Sequence, residues 1–280
     1  MKNSKKGSYT CSKGLIFMVA LLMLFALTTF NVYSQGVSTS DLNRLVENLN
    51  SRWDEQNPIL HPDGKSLYFT RANDSLNVGG PRDKGDIWIS NLAENGHWAV
   101  PVNAGKGIND ALQNTMLGFS PDGNILFVNL TKRHEGGLIS VDGIGYSMRN
   151  GVGWSAPKRV SVDYYLNRSK HQSGSISRDG STLVLSMESY ASRGEEDIYI
   201  SFYKNGKWSQ PVNLGSDINT PGQEMTPYLS ADNKTLYFSS NGHGGKGGRD
   251  LFQAERKDET WKSWTKPKNL GDEVNTDGVE

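Results

Sequence analysis

Residues 224–276 read EMTPYLSADNKTLYFSSNGHGGKGGRDLFQAERKDETWKSWTKPKNLGDEVNT. The stretch divides into four short strands, at 225–229, 235–239, 250–255 and about 262–270, separated by turn-forming residues. Ser230-Ala-Asp-Asn supplies a tight turn in which Asp232 bonds the backbone and the next residue accepts positive φ. A glycine-rich stretch separates the second and third strands. Pro267 lacks the N–H that a central strand must donate, so the fourth strand lies at an edge.

Outward from this stretch the same pattern recurs three times. Asp63, Asp122, Asp179 and Asp232 sit in the turns HPDGK, SPDGN, SRDGS and SADNK. Each is followed by an apolar triplet, beginning at Leu67, Leu126, Leu183 and Leu236. Trp98, Trp154, Trp208 and Trp264 follow at spacings of 56, 54 and 56, each with a Pro three residues on. Two independent signals in register four times over describe four-stranded blades of one repeat. The expected fold is therefore an all-β propeller of four-stranded antiparallel blades, with four blades visible at about 54–110, 111–168, 169–220 and 221–276. Residues 275–280 (NTDGVE) match NTPGQE at 219–224, placing the start of another copy at 277–280, so a fragment of a larger propeller is the expectation. Each Trp is expected to pack its outer strand onto its own blade. Copy two departs from the pattern. It has KRVSVDYY in place of the Asn-Leu-Gly linker and Gly145-Tyr146 where Asp86-Ile87-Trp88, Asp197-Ile198-Tyr199 and Asp250-Leu251-Phe252 stand elsewhere. A distorted blade or a different loop is expected there.

The motif Glu224-x-x-Pro227, Ser230-x-Asp232, Leu236-Tyr237-Phe238-Ser239, Gly248-x-Asp250-Leu251-Phe252 and Asn269-Leu270-Gly271 resembles the WD-repeat-like propeller repeats of the TolB type. These are found in envelope proteins of Bacteroidetes-like bacteria, and the resemblance covers about residues 54–280. It implies a binding module of the envelope. Such repeats often precede an OmpA-like domain, which makes an indirect association with peptidoglycan an expectation of the resemblance alone.

Ahead of the repeats, Lys2, Lys5, Lys6 and Lys13 precede the apolar run GLIFMVALLMLFALTTF at 14–30. A basic start, an apolar centre and a small-residue exit at Val32-Tyr33-Ser34 describe a secretory signal peptide over 1–34. The alternative is a retained membrane anchor, since the run is at the lower limit for spanning. Membrane contact is expected through this segment alone. Cys11, the one cysteine, precedes the run, so neither a lipid anchor nor a disulfide is expected. At 35–53, Leu42, Leu45, Val46 and Leu49 have helical spacing and read as a short amphipathic helix capped by Ser40.

Lys+Arg and Asp+Glu number 30 each, which argues against a nucleic-acid surface. The turn aspartates are expected to serve their own turns, since a calcium site needs six to eight converging oxygens. Asp86, Asp197 and Asp250 are expected to bond within their blades. None of His61, His97, His134, His171 and His243 has metal-motif spacing, and no cofactor is expected. NGHGGKGGRD is followed by a strand rather than the helix that a phosphate loop needs, so it reads as a wide hairpin loop. Within it Asn241, His243, Lys246 and Arg249 are the candidates for ligand contact. Glu188, Glu195 and Glu196 are non-repeating carboxylates in one loop. They keep open a propeller glycosidase, which needs two carboxylates across a sugar. The leading expectation is a non-catalytic scaffold in the periplasm or at the outer membrane, binding envelope proteins; the alternative is carbohydrate binding or hydrolysis.

Overall fold

The computed structural model describes residues 46–280, which form four antiparallel sheets arranged as the blades of a propeller. Blade one contains β1 (Asp54–Leu60), β2 (Ser66–Ala72), β3 (Asp86–Asn91) and β4 (Val102–Asn103). Blade two contains β5 (Met116–Phe119), β6 (Ile125–Arg133) and β7 (Ile139–Asn150), with an outer strand divided into β8 (Gly153–Trp154) and β9 (Lys158–Arg159). Blade three contains β10 (Ser173–Ile176), β11 (Thr182–Met187) and β12 (Asp197–Lys204), again with a divided outer strand, β13 (Lys207–Trp208) and β14 (Val212–Asn213). Blade four contains β15 (Glu224–Leu229), β16 (Thr235–Ser240), β17 (Asp250–Glu255) and β18 (Lys268–Asn269). The signal segment and most of the expected amphipathic helix lie outside the described residues.

The outer strand is more broken than its sequence suggests. In blades one and four the indole-bearing residue joins its sheet through a single bridge, Leu92 to Trp98 and Arg256 to Trp264. The break falls where Pro removes an N–H. A serine bridges the gap in blade three: Ser209 Oγ accepts from Phe202 N at 3.0 Å, and Ser201 Oγ donates to Ser209 O at 2.6 Å.

The first turn of each blade uses its aspartate locally. The N–H groups of Lys65, Asn124, Ser181 and Lys234 donate to Asp63, Asp122, Asp179 and Asp232 at 2.6–3.0 Å. Asn233 takes the left-handed backbone (φ 58°) that Gly64, Gly123 and Gly180 take in the other turns. Hydroxyls of Ser120, Ser177 and Ser230 add a second donor in blades two to four.

Three of the four buried clusters lie between blades rather than within one. Tyr68, Ile87 and Ile108 of blade one meet Met116, Phe119, Leu126 and Trp154 of blade two. Leu117 and Ile144 of blade two meet Leu183, Leu185, Tyr199 and Trp208 of blade three. Val184, Ile198 and Ile200 of blade three meet Leu236, Phe238, Phe252 and Trp264 of blade four. Trp154, Trp208 and Trp264 therefore sit in the wall between two blades, facing the preceding blade as well as packing on their own, as Trp208 does on Tyr203 at 5.2 Å between ring centres. Among the described residues no blade precedes Trp98, and Val46 and Leu49 cover it together with Leu67, Phe69 and Trp88. None of the four clusters of described residues joins blade four to blade one.

One polar bond repeats at every junction. A second-strand side chain donates to a carbonyl at or just ahead of the start of the following repeat. The pairs are Thr70 to Asn114 (3.1 Å), Asn129 to Gln172 (3.1 Å), Ser186 to Glu224 (2.6 Å) and Ser239 to Glu280 (2.5 Å).

Candidate functional site

Strand reversals alternate between the two ends of each sheet. The Asp turns lie at one end, and the loops between second and third strands lie at the other. All the ligand and carboxylate candidates belong to these second-to-third-strand loops.

The loops are shaped by the aspartate that opens the third strand. In blade four, Asp250 accepts from Lys246 N (2.8 Å), Gly247 N (3.0 Å) and Asn269 Nδ2 (2.7 Å). A Cβ on Gly245 would lie 2.1 Å from Asp250 Oδ2, and one on Gly247 would lie 2.4 Å from Gly278 O. The glycine richness of NGHGGKGG is thus a requirement of close approach. Asp197 accepts from Arg193 N and Asn213 Nδ2 in the same way. Asp86 accepts from Val78 N and Asn103 Nδ2, but its Oδ1 is buried without a partner. Burial, aided by Asp83 and Asp110 nearby, raises the Asp86 carboxyl to about 6 against the pull of its two donors. At Asp250 burial also works upward, yet the donors from Gly247, Lys246 and Asn269 hold the carboxyl below its ordinary value.

A second asparagine completes each regular brace. Asn109, Asn219 and Asn275 accept from the N–H and donate to the carbonyl of Ile87, Ile198 and Leu251 at 2.7–3.1 Å, as a paired strand would. Blade two lacks this arrangement. Arg159 Nη1 lies 2.2 Å from where a Gly143 Cβ would stand, and its guanidinium pairs with Asp142 at 2.6 Å. Blade two has an extended hairpin here instead of the glycine-rich loop.

Of the four ligand candidates, two are internal struts. Asn241 Oδ1 accepts from Gln223 N at 2.8 Å. His243 Nε2 contacts Ile218 O at 2.7 Å, and its ring packs on Phe238 and Phe252. Lys246 is exposed, with Nζ 3.8 Å from Asp277. Arg249 Nη1 donates to Gln223 Oε1 at 3.1 Å, while its Nε is buried without a partner. Gln223 Nε2 in turn donates to Glu196 Oε2 (2.8 Å), and Ser169 Oγ donates to Glu196 Oε1 (2.5 Å). Ser169, Glu196, Gln223 and Arg249 thus form one polar chain spanning blades three and four and the linker before them.

The three loop carboxylates are placed differently from one another. Glu196 is buried in that chain, Glu195 is exposed and Glu188 is half-buried. Beside Glu188 stands a pair that sequence reading missed. The Arg168 guanidinium lies 4.4 Å from the ring centre of Tyr190, which is 80% exposed. Backbone bonds fix the pair's base: Arg168 N donates to Glu188 O at 2.8 Å, and Glu188 N donates to Asn167 Oδ1 at 3.3 Å. Among the described residues no three His, Cys, Asp or Glu side chains gather as a metal site.

The chain matches no family model and no curated protein. Solved structures resemble it at low identity. A protein assigned as TolB from Agrobacterium tumefaciens is 17% identical over 77% of this chain and 62% of that one, with a TM-score of 0.45. A protein of unknown function from Dyadobacter fermentans is 12% identical over 79% and 70%, with a TM-score of 0.48. One assigned as a 6-phosphogluconolactonase from Bacteroides fragilis is 14% identical over 78% and 58%, with a TM-score of 0.42. No activity passes from these to this chain.

Proposed function

We propose that this chain is a non-catalytic scaffold of the cell envelope, exported by its basic-apolar leader and binding protein partners through the loop end of the propeller. The observation that carries the reading is the exposed Tyr190 with the Arg168 guanidinium on its ring, set on a backbone tied down by Asn167 and Glu188. Tyr and Arg are the residue types on which protein interfaces concentrate their binding energy. A fixed base also lowers the ordering cost of binding. The candidate carboxylate Glu196 is meanwhile occupied as an internal acceptor.

The test uses the full chain as bait on an envelope extract, with the captured protein identified and its binding remeasured in purified form. Tyr190→Ala should weaken that purified complex by about 2 kcal/mol without moving the melting curve. A partner that binds Tyr190→Ala and Arg168→Ala as tightly as the parent removes the proposed surface. A second reading, carbohydrate binding or hydrolysis, is favoured by Glu188 and Glu195 sharing the loop of Tyr190. Release of reducing ends from envelope glycans, abolished by Glu188→Gln, would establish it in place of the scaffold.

A further inference from the structure

Blade two departs from the repeat in two places, and the structure brings the two departures together. The strands of its central hairpin, β6 and β7, are longer than their counterparts, and the segment 160–172 stands in place of the Asn-Leu-Gly linker. Val141 N donates to Lys170 O at 3.2 Å, which lays that segment alongside the hairpin. Gln172, 7% exposed, fastens it there. Its Nε2 donates to Asn129 Oδ1 (2.8 Å), and its Oε1 accepts from Tyr165 Oη (2.5 Å). On the other flank Asn167 Oδ1 accepts from Glu188 N, and Ser169 Oγ donates to Glu196 Oε1 of blade three. The side chains of Asn167, Ser169 and Gln172 are thus spent on holding the segment down.

The residues between them are of another kind. Arg168 and Lys170 are exposed, as are Lys132 and Arg133 on the hairpin. Among the described residues the side chains of these four cations take part in no hydrogen bond and no ion pair; Arg168 rests over the Tyr190 ring. Residues 131–141 and 167–172 hold a single carboxylate, Glu135, against the four. Glu188 and Glu195 lie on the neighbouring loop of blade three, so the positive side of the surface is the hairpin and the segment beside it. Like charges set together on a braced backbone repel one another, and an anion laid across them relieves that cost. A guanidinium seated over a ring keeps its N–H donors free for the two oxygens of a carboxylate. Exposed apolar groups flank the cations: Tyr190 beside Arg168 and Leu138, 59% exposed, beyond Arg133.

We infer that the blade-two hairpin and segment 167–172 form a docking surface for an acidic peptide segment of a protein partner, with carboxylates on the four cations and apolar side chains against Tyr190 and Leu138. This rests on the scaffold reading above and adds the partner's chemistry to it. The bracing supplies the fixed geometry, and the charge supplies the choice of partner and a fast encounter.

Fluorescence anisotropy of the full chain with a short labelled peptide of alternating Glu and Leu tests this, the same peptide with Gln for Glu being the control. The Glu peptide should bind and be released as salt rises, and the Gln peptide should bind about tenfold more weakly or less. Arg168→Gln combined with Lys170→Gln should weaken the Glu peptide by about tenfold with an unchanged melting curve, and Lys132→Gln combined with Arg133→Gln should act in the same direction. Lys234→Gln, exposed at the Asp-turn end, should leave binding as it was. Equal binding of the two peptides overturns the inference, as does an equal loss in Lys234→Gln. Heparin held by these four cations where the Glu peptide is not would make the surface one for anionic glycans and overturn it as well. An envelope partner lost on Tyr190→Ala, yet indifferent to salt and to the paired Gln variants, leaves the scaffold reading standing and removes the acidic segment.

Discussion

Blades two and three are neighbours built from one repeat, and they solve the same bracing problem with different residues. In blade three Asp197, Asn213 and Asn219 knit the loop, the outer strand and the linker to the third strand through neutral and charge-assisted hydrogen bonds. In blade two Gly143 and Arg159 occupy the corresponding positions, and one guanidinium fills the volume of the missing carboxylate. The two blades teach that unlike residues can fill the same space at one position of the repeat. They also differ in exposure. Arg159 is 54% exposed in its side chain and its ion pair is screened, whereas Asn219 is 1% exposed.

The largest effect is expected at the wall the two blades share. Trp208→Ala should cost about 3–5 kcal/mol in chemical unfolding, because it empties the cluster between blades two and three. An unchanged midpoint would contradict the placement of the indole there. Next, Asn219→Ala should cost about 1–3 kcal/mol, since it strands the buried N–H and C=O of Ile198. Arg159→Ala should cost under about 1 kcal/mol, and equal costs for the two would erase the distinction between the blades. Gly143→Asp alone should cost little, because the atom its Cβ meets at 2.2 Å is the end of the flexible, 54% exposed Arg159 side chain, and adding Arg159→Asn should change that cost. Strict additivity in that cycle would show that the two positions do not share one space.

A pH dependence extends the comparison to blades one and four. With Asp86 raised to about 6 from 3.8, the folded state holds a proton that the unfolded state has released. Its contribution is full below about pH 4 and is lost as pH rises through about 6. Asp250, held below 3.8, contributes above that value and is lost on acidification. Unfolding midpoints measured between pH 4 and 7 should therefore fall less steeply in Asp86→Asn than in the parent. Asp250→Asn should lose stability at neutral pH and leave that slope in place.

Much of this was legible in the sequence. The 54–56 residue period, the Asp turns and the Asp-led third strands are local patterns, and each maps onto backbone geometry that its residues dictate. The side to which the indoles point was not legible, because a period fixes register without fixing which face meets which neighbour. Trp261 was missed for a related reason. It is an insertion outside the repeat, taking a left-handed φ of 63° and accepting from Trp264 Nε1. The loop candidates were half legible. Asn241 and His243 look available in a polar string, yet in a glycine-rich loop the backbone needs their side chains as partners. The Arg168–Tyr190 pair joins residues from a linker and a loop, and no linear motif brings them together.

Each blade packs on its sequence neighbours and draws its tether from the start of the following repeat, so the molecule is energetically a one-dimensional array. Stability in such an array has a direction. Among the described residues, blades two and three are buried against a neighbouring blade on each side and blade four against blade three, so β16 and β17 should open before β11 and β12. Amide exchange would record this as a gradient.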